Sequence, residues 1–172
     1  MNNSKIEKPE KLSQEVVNLL LERLPDEFKA FYFYRSATNW CQNKGFFKAA
    51  AFFKAESDDE LTHAKKIEDY LVDWNITPDL SNILKPVLEF TDLVDVIEKA
   101  YDMEFALYEG YEDTSIKVFK IGDLCVFDFL QFFRTTQKEA VAEYSDKLNV
   151  VEGTNRDSKF EMLLLEKVLF KG

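Results

Sequence analysis

Glu60 and His63 lie three residues apart in the run Ala55-Glu56-Ser57-Asp58-Asp59-Glu60-Leu61-Thr62-His63-Ala64. On a helix two such residues point the same way and can share one cation. His63 is the only histidine among 172 residues. That excludes a two-histidine zinc protease site and bis-histidine haem ligation. A lone Glu-x-x-His pair also occurs on solvated helix faces, so its meaning depends on partners elsewhere in the chain.

Three other helical stretches supply such partners. Apolar residues at alternating spacings of three and four mark four long amphipathic helices. The inward stripes are Val17-Leu20-Leu24-Glu27-Phe31-Tyr34, Ala50-Phe53-Ser57-Glu60-Ala64-Ile67-Leu71, Leu93-Ile97-Ala100-Glu104-Leu107-Tyr111 and Val126-Leu130-Phe133-Gln137-Tyr144-Leu148. The fourth stripe passes Ala140 or Val141 between Gln137 and Tyr144. Each is interrupted near mid-helix by one acid or amide: Glu27, Glu60, Glu104 and Gln137. Antiparallel helices of similar length bring those four to one level. The spacing from Glu27 to Glu60 equals that from Glu104 to Gln137, 33 residues in each case. An offset of 77 lays Phe28 on Phe105, Tyr34 on Tyr111 and His63 on Ala140. The chain therefore reads as two helical hairpins related by a pseudo-twofold axis, the second lacking its histidine.

Burying an ionised carboxylate without a partner costs several kcal/mol, and three in one layer also repel one another. No lysine or arginine stands in these inward stripes. A bound metal cation resolves the conflict. Hard oxygen donors with one imidazole suit iron or manganese better than zinc or copper.

The remaining sequence bounds the setting. A hydrophobic content of 46% with 31% charged residues suits a single domain over residues 1–172. A net charge of −10 argues against a nucleic-acid partner. Cys41 and Cys125 make no disulfide framework, and no apolar run has the length of a membrane span. The polar Met1–Lys11 stretch has no apolar core and reads as a flexible arm, not a signal peptide. The expected location is cytoplasmic, with no membrane association.

Ser13 is expected to cap the first helix, which closes at Asn43-Lys44-Gly45. Pro25 should kink or split it. The second helix is expected from Phe46 to Trp74, followed by a long crossover over residues 75–90 containing Pro78 and Pro86. Thr91 is expected to cap the third helix and Asp123 the fourth, which runs to about Leu148. A short terminal helix over 158–170 is apolar nearly all round, so something must bury it. The expected fold is all-α: an antiparallel four-helix bundle, a long crossover between helices 2 and 3, and a short fifth C-terminal helix.

In one known bundle class a metal pair is held by a glutamate from each of two helices and a Glu-x-x-His from each of the other two. From Ser13 onward the sequence resembles the non-haem ferritins of that class, with the second Glu-x-x-His reduced to Gln137-Lys138-Glu139-Ala140. Supporting stretches are Phe31-Tyr32-Phe33-Tyr34 leading to Trp40-Cys41, Ala49-Ala50-Ala51-Phe52-Phe53, Glu60-Leu61-Thr62-His63, and Phe129-Leu130-Gln131-Phe132-Phe133 before Gln137. The resemblance implies two irons per subunit. Glu27 and His63 are then terminal ligands of the first, Glu60 the bridge, and Glu104 the main ligand of the second. Gln137 corresponds to the glutamine that orders a site water or weakly contacts the second iron, and Tyr34 to the tyrosine that lends an electron. Bacterial relatives often carry a glutamate where Ala140 stands, so the second iron should be the weaker bound. Asp59 and Glu139 match two ligands of a third iron site, and Thr136 replaces another. Phe127 and Leu130 fall where animal proteins line a pore with acids, with Asp123 and Asp128 as possible substitutes. Leu61 replaces the haem methionine of bacterioferritins, so no haem is expected.

The resemblance implies iron storage and detoxification: a ferroxidase that oxidises Fe(II) with O2 or H2O2 and deposits ferric mineral inside a homo-oligomeric cage of 24 subunits. The terminal helix would be buried at the fourfold contacts. Two other readings stand beside it, a di-iron oxidase or peroxidase that stores nothing and an inert helical scaffold with a vestigial acidic layer.

Overall fold

The computed structural model describes residues 12–80, 82–83 and 89–170. The Met1–Lys11 arm lies outside them, as does much of the second half of the crossover. Helix α1 runs Gln14–Lys44, capped by Ser13, whose side chain accepts from the Val16 amide at 3.3 Å. It stops at Gly45, where φ is +81°, a left-handed value that glycine adopts without a Cβ clash. The Gly45 and Phe46 amides then satisfy the Gln42 and Cys41 carbonyls. Pro25 lies inside α1 without splitting it. The apolar stripes on either side of the proline hold the helix together through tertiary packing, which outweighs one lost backbone hydrogen bond.

Helix α2, Phe47–Asp73, has no side-chain cap of its own at Phe46. Helix α3 spans Leu93–Ile121. Its cap is Asp92, accepting from the Asp95 amide at 2.8 Å, rather than the expected Thr91. Aspartate caps better than threonine, and Thr91 instead donates its own amide to Asp95. Helix α4, Leu124–Val151, is capped by Asp123 as expected and runs three residues past Leu148. Helix α5 spans Lys159–Leu169, capped by Ser158.

Short turns at Gly45 and Gly122 make α1–α2 and α3–α4 antiparallel hairpins. Tyr34 bonds to Glu104 and Tyr111 to Glu27, so a later residue on α1 meets an earlier one on α3 and these helices are antiparallel too. Across the other face, Phe52 meets Tyr144 while Tyr70 stacks on Phe129, the same sense for α2 and α4. The crossover begins where Ile76 packs against the cluster that holds Val16, Leu20 and Leu71, and ends against Phe33 and Trp40 through Phe90. Its described ends therefore lie toward opposite ends of the bundle, as a crossover between two antiparallel hairpins requires.

The core divides into two apolar clusters. One gathers Tyr34, Phe53, Ile97, Tyr144 and the buried face of α5; the other gathers Leu20, Leu24, Ile67, Tyr111 and Leu130. Between them lies a buried polar layer that includes Glu27, Ser57, Glu60, His63, Glu104 and Gln137. Among the described residues there is no strand, and no helix is long and apolar enough to cross a membrane.

Helix α5 is buried on one face only. Met162, Leu165 and Glu166 face the bundle, whereas Phe160 (70% exposed), Leu164 and Val168 form an outward apolar stripe. Its polar residues clamp the α1–α2 turn. Glu166 accepts from the Lys48 and Ala49 amides at 2.8 and 3.1 Å, supplying the cap that Phe46 lacks. Lys159 donates to the Lys44 carbonyl at 2.6 Å. A carboxylate at a helix N-terminus and an ammonium at a C-terminus both complement the helix dipoles.

Candidate metal centre

Each half of the chain contributes one acid from the middle of its first helix, and each acid is gripped by the other half. The Tyr34 hydroxyl donates to Glu104 Oε1, and the Tyr111 hydroxyl donates to Glu27 Oε1. In both glutamates the remaining Oε2 is buried with no hydrogen-bond partner among the protein atoms. The pseudo-twofold read from the 77-residue offset thus reappears as two mirrored tyrosine–glutamate bonds.

Helix α2 brings the third acid and the imidazole. His63 Nδ1 lies 3.0 Å from Glu60 Oε2 and 3.6 Å from Glu27 Oε2. Glu27, Glu60 and His63 present ligand atoms that all lie within 4.8 Å of one another. Phe132 and Phe133 meet the imidazole edge-to-face and fix its plane. Gln137 is buried, and its Oε1 is likewise without a protein partner. Glu104 and Gln137 join Glu60 and His63 in the wall of a cleft of about 190 Å³, with Asp59, Thr136, Glu139 and Ala140.

The electrostatics record the crowding of acids. Burial raises the Glu60 pKa well above the carboxylate range against the lowering bond from His63, and the neighbouring Glu27 and Glu104 raise it further. Burial lifts Glu104 to about 7 although the Tyr34 bond opposes the rise. Burial disfavours the charged form of His63, but its close approach to the Glu27 and Glu60 carboxylates prevails and carries it to about 10. One imidazolium cannot neutralise three clustered carboxylates. A divalent or trivalent cation fits the donor set, because buried carboxylate oxygens lacking any hydrogen-bond partner are the costly groups a metal would satisfy.

The structure therefore brings Glu27, Glu60 and His63 to one point, sets Glu104 and Gln137 in the adjoining cleft, and seats Tyr34 on Glu104. Sequence reasoning gave no role to four further residues. Tyr111 was visible as the counterpart of Tyr34 in the repeat. Glu56 lies one helical turn before Glu60, half-buried on the cleft wall, where burial and then Glu104 lift its pKa to about 8. Glu143 lines the same wall and pairs with Lys147. Lys147 is itself buried against Phe52, Tyr144 and Phe170, which corrects the expectation of inward stripes free of lysine. Its long stem reaches inward from a position next to Leu148, so the stripe pattern did not reveal it. Of the four pore candidates, Leu130 is fully buried, Phe127 packs half-buried against the core, Asp123 is the α4 cap, and Asp128 is exposed.

A bundle of this topology with an acidic layer at mid-height defines the ferritin-like class, and the family model described as Ferritin-like domain matches residues 17–154. A bacterial non-heme ferritin of Campylobacter jejuni is 32% identical over 143 residues, covering 81% of this chain and 86% of that protein. A probable bacterial non-heme ferritin-like protein of Haemophilus influenzae is 29% identical over 158 residues, covering 92% and 95%. The chain belongs to the non-haem ferritin family. In fold it is similar to an open pore ferritin from the archaeon Archaeoglobus fulgidus, with a TM-score of 0.86 at 21% identity, covering 94% of this chain and 99% of that one.

Proposed function

We propose that the chain stores and detoxifies iron by oxidising Fe(II) at the polar layer and depositing ferric mineral within a multi-subunit shell. The observation that carries this reading is the convergence of Glu27, Glu60 and His63 beside the partnerless oxygens of Glu27 and Glu104. Glu27 and His63 hold the first substrate iron, Glu60 bridges, and Glu104 with Gln137 receives the second. Tyr34, bonded to Glu104, lends an electron to the bound oxidant, O2 or H2O2. Glu27, Glu60 and His63 serve the first iron more fully than Glu104 and Gln137 serve the second, because Ala140 offers no ligand opposite His63. The outward apolar stripe of α5 favours storage over a non-storing oxidase, since Phe160, Leu164 and Val168 call for burial between subunits, as at the fourfold contacts of a 24-subunit cage.

The test is aerobic addition of Fe(II) to the purified protein, followed by size separation and iron analysis of the protein fraction. The expected result is oxidation faster than in buffer, with ferric iron retained in a large assembly. Oxidation no faster than in buffer would leave an inert scaffold, and rapid oxidation with all iron outside the protein would leave a non-storing oxidase. Glu60→Ala removes the bridging carboxylate and is expected to abolish the rapid phase; an unchanged initial rate would refute the site assignment.

A further inference from the structure

We infer that Tyr111 is a second one-electron donor of the centre, equivalent to Tyr34 and serving the Glu27 side as Tyr34 serves the Glu104 side. The inference rests on the ferroxidase reading above and extends it. Its basis is the mirrored pair of bonds: Tyr34 to Glu104 Oε1 and Tyr111 to Glu27 Oε1, each leaving one partnerless carboxylate oxygen. Both rings are fully buried, so an oxidised form of either is shielded from solvent. Each phenol also has an immediate proton acceptor. Loss of an electron makes a phenol strongly acidic, and the proton then passes along the existing hydrogen bond to the glutamate. The ring of Tyr111 lies flat on Phe133 at a centroid distance of 4.7 Å, so its hydroxyl is held on Glu27 by packing as well as by the bond.

The electron balance gives the pair its chemical purpose. Two ferrous ions alone carry O2 only as far as hydrogen peroxide: O2 + 2 Fe(II) + 2 H+ gives H2O2 + 2 Fe(III). With two tyrosines the same ions complete the reduction: O2 + 2 Fe(II) + 2 TyrOH + 2 H+ gives 2 H2O + 2 Fe(III) + 2 TyrO•. Each phenol loses one electron and one proton, the O–O bond breaks, and all four electrons end in water. A further Fe(II) then restores each tyrosine, as TyrO• + Fe(II) + H+ gives TyrOH + Fe(III). The centre so equipped removes oxygen and iron together without releasing peroxide, whereas a centre with one tyrosine is an electron short.

The experiment loads iron-free protein with two Fe(II) per subunit in excess O2, freezes the first turnover for electron paramagnetic resonance, and measures released peroxide in parallel. Wild type, Tyr34→Phe, Tyr111→Phe and the double variant are compared, phenylalanine keeping each ring and deleting the hydroxyl. A tyrosyl signal is expected to persist in Tyr34→Phe and to vanish in the double variant. Peroxide is expected to rise from near zero in wild type to near one per two irons in the double variant, with each single variant between. Tyr34→Phe leaves Tyr111 untouched, so the decisive signal does not depend on how well Tyr111→Phe folds. The inference is overturned if Tyr34→Phe shows no tyrosyl signal, if the signal survives in the double variant, or if Tyr111→Phe releases no more peroxide than wild type. Wild type that oxidises iron rapidly but releases one peroxide per two irons sinks this inference alone. Wild type that oxidises iron no faster than buffer sinks the ferroxidase reading along with it.

Discussion

Replacing Glu104 with glutamine should flatten part of the pH dependence of stability of the iron-free protein. Glu104 is 1% exposed, and burial raises its pKa from the ordinary 4.5 to about 7 despite the Tyr34 bond. Between those values the folded chain keeps a proton that the unfolded chain has released, so stability is greatest at the acid end and falls as pH rises through 7. A rise from 4.5 to about 7 corresponds to about 3 kcal/mol. His63, lifted from 6.5 to about 10, acts in the same direction at higher pH, since its retained proton stabilises the folded chain below 6.5 and is lost through 10. Other acids titrate too, so the informative quantity is the difference between wild type and Glu104→Gln. Glutamine keeps an oxygen for the Tyr34 hydroxyl while removing the charge. Urea unfolding should be followed from pH 4.5 to 8 at one fixed subunit concentration, because assembly adds a concentration-dependent contribution. Wild type is expected to lose about 3 kcal/mol relative to the variant across that range. A difference that stays constant with pH, or that grows in favour of wild type, would refute the argument.

Three further outcomes follow from other parts of the molecule. Pro25→Ala restores a backbone donor inside α1; an interior proline costs about 3 kcal/mol against alanine, offset by about 1 kcal/mol from its stiffening of the unfolded chain. The urea midpoint should therefore rise, and a fall would count against this. A redox-inert divalent ion such as Co(II), at about a hundred times its dissociation constant, should stabilise wild type by about 2.7 kcal/mol, raising the melting temperature. His63→Ala should lose most of that shift, and an equal shift in both proteins would place the ion elsewhere. Deleting residues 159–172 removes the Glu166 cap from α2 and the Lys159 contact to α1, and with them the outward apolar stripe. The expected result is a smaller assembly by light scattering and a loss of about 1 kcal/mol or more in subunit stability; an unchanged assembly size would refute the role given to α5.

The level of the acidic layer was legible because helical periodicity converts residue number into height along a helix. Equal 33-residue spacings therefore put Glu60 beside Glu27 and Gln137 beside Glu104 without any tertiary information. Helix ends were legible where a cap is local, as at Ser13 and Asp123, and ambiguous where Thr91 and Asp92 compete in adjacent positions. What the pattern did not carry was contact between residues distant in sequence. Glu166 caps α2 from more than a hundred residues away, and no local motif marks it. Lys147 enters the core by bending its stem beside an apolar neighbour, which a stripe of residue types cannot express. Tyr111 was visible as the repeat counterpart of Tyr34, but its bond to Glu27 joins residues 84 apart in sequence, which periodicity does not express.

Ala140, the residue that breaks the repeat, also stands on the wall of the cleft that leads to the layer. A histidine there would occupy part of a space of only about 190 Å³. Glu104, Gln137, Glu60 and His63 line that cleft, while Glu27 is fully buried and not on its wall. Under the proposed assignment, ligands of both positions, Glu60 and His63 for the first ion and Glu104 and Gln137 for the second, would be reached from this one cleft. Both ions would then come and go through one opening, and the less fully liganded second ion would be the first to leave.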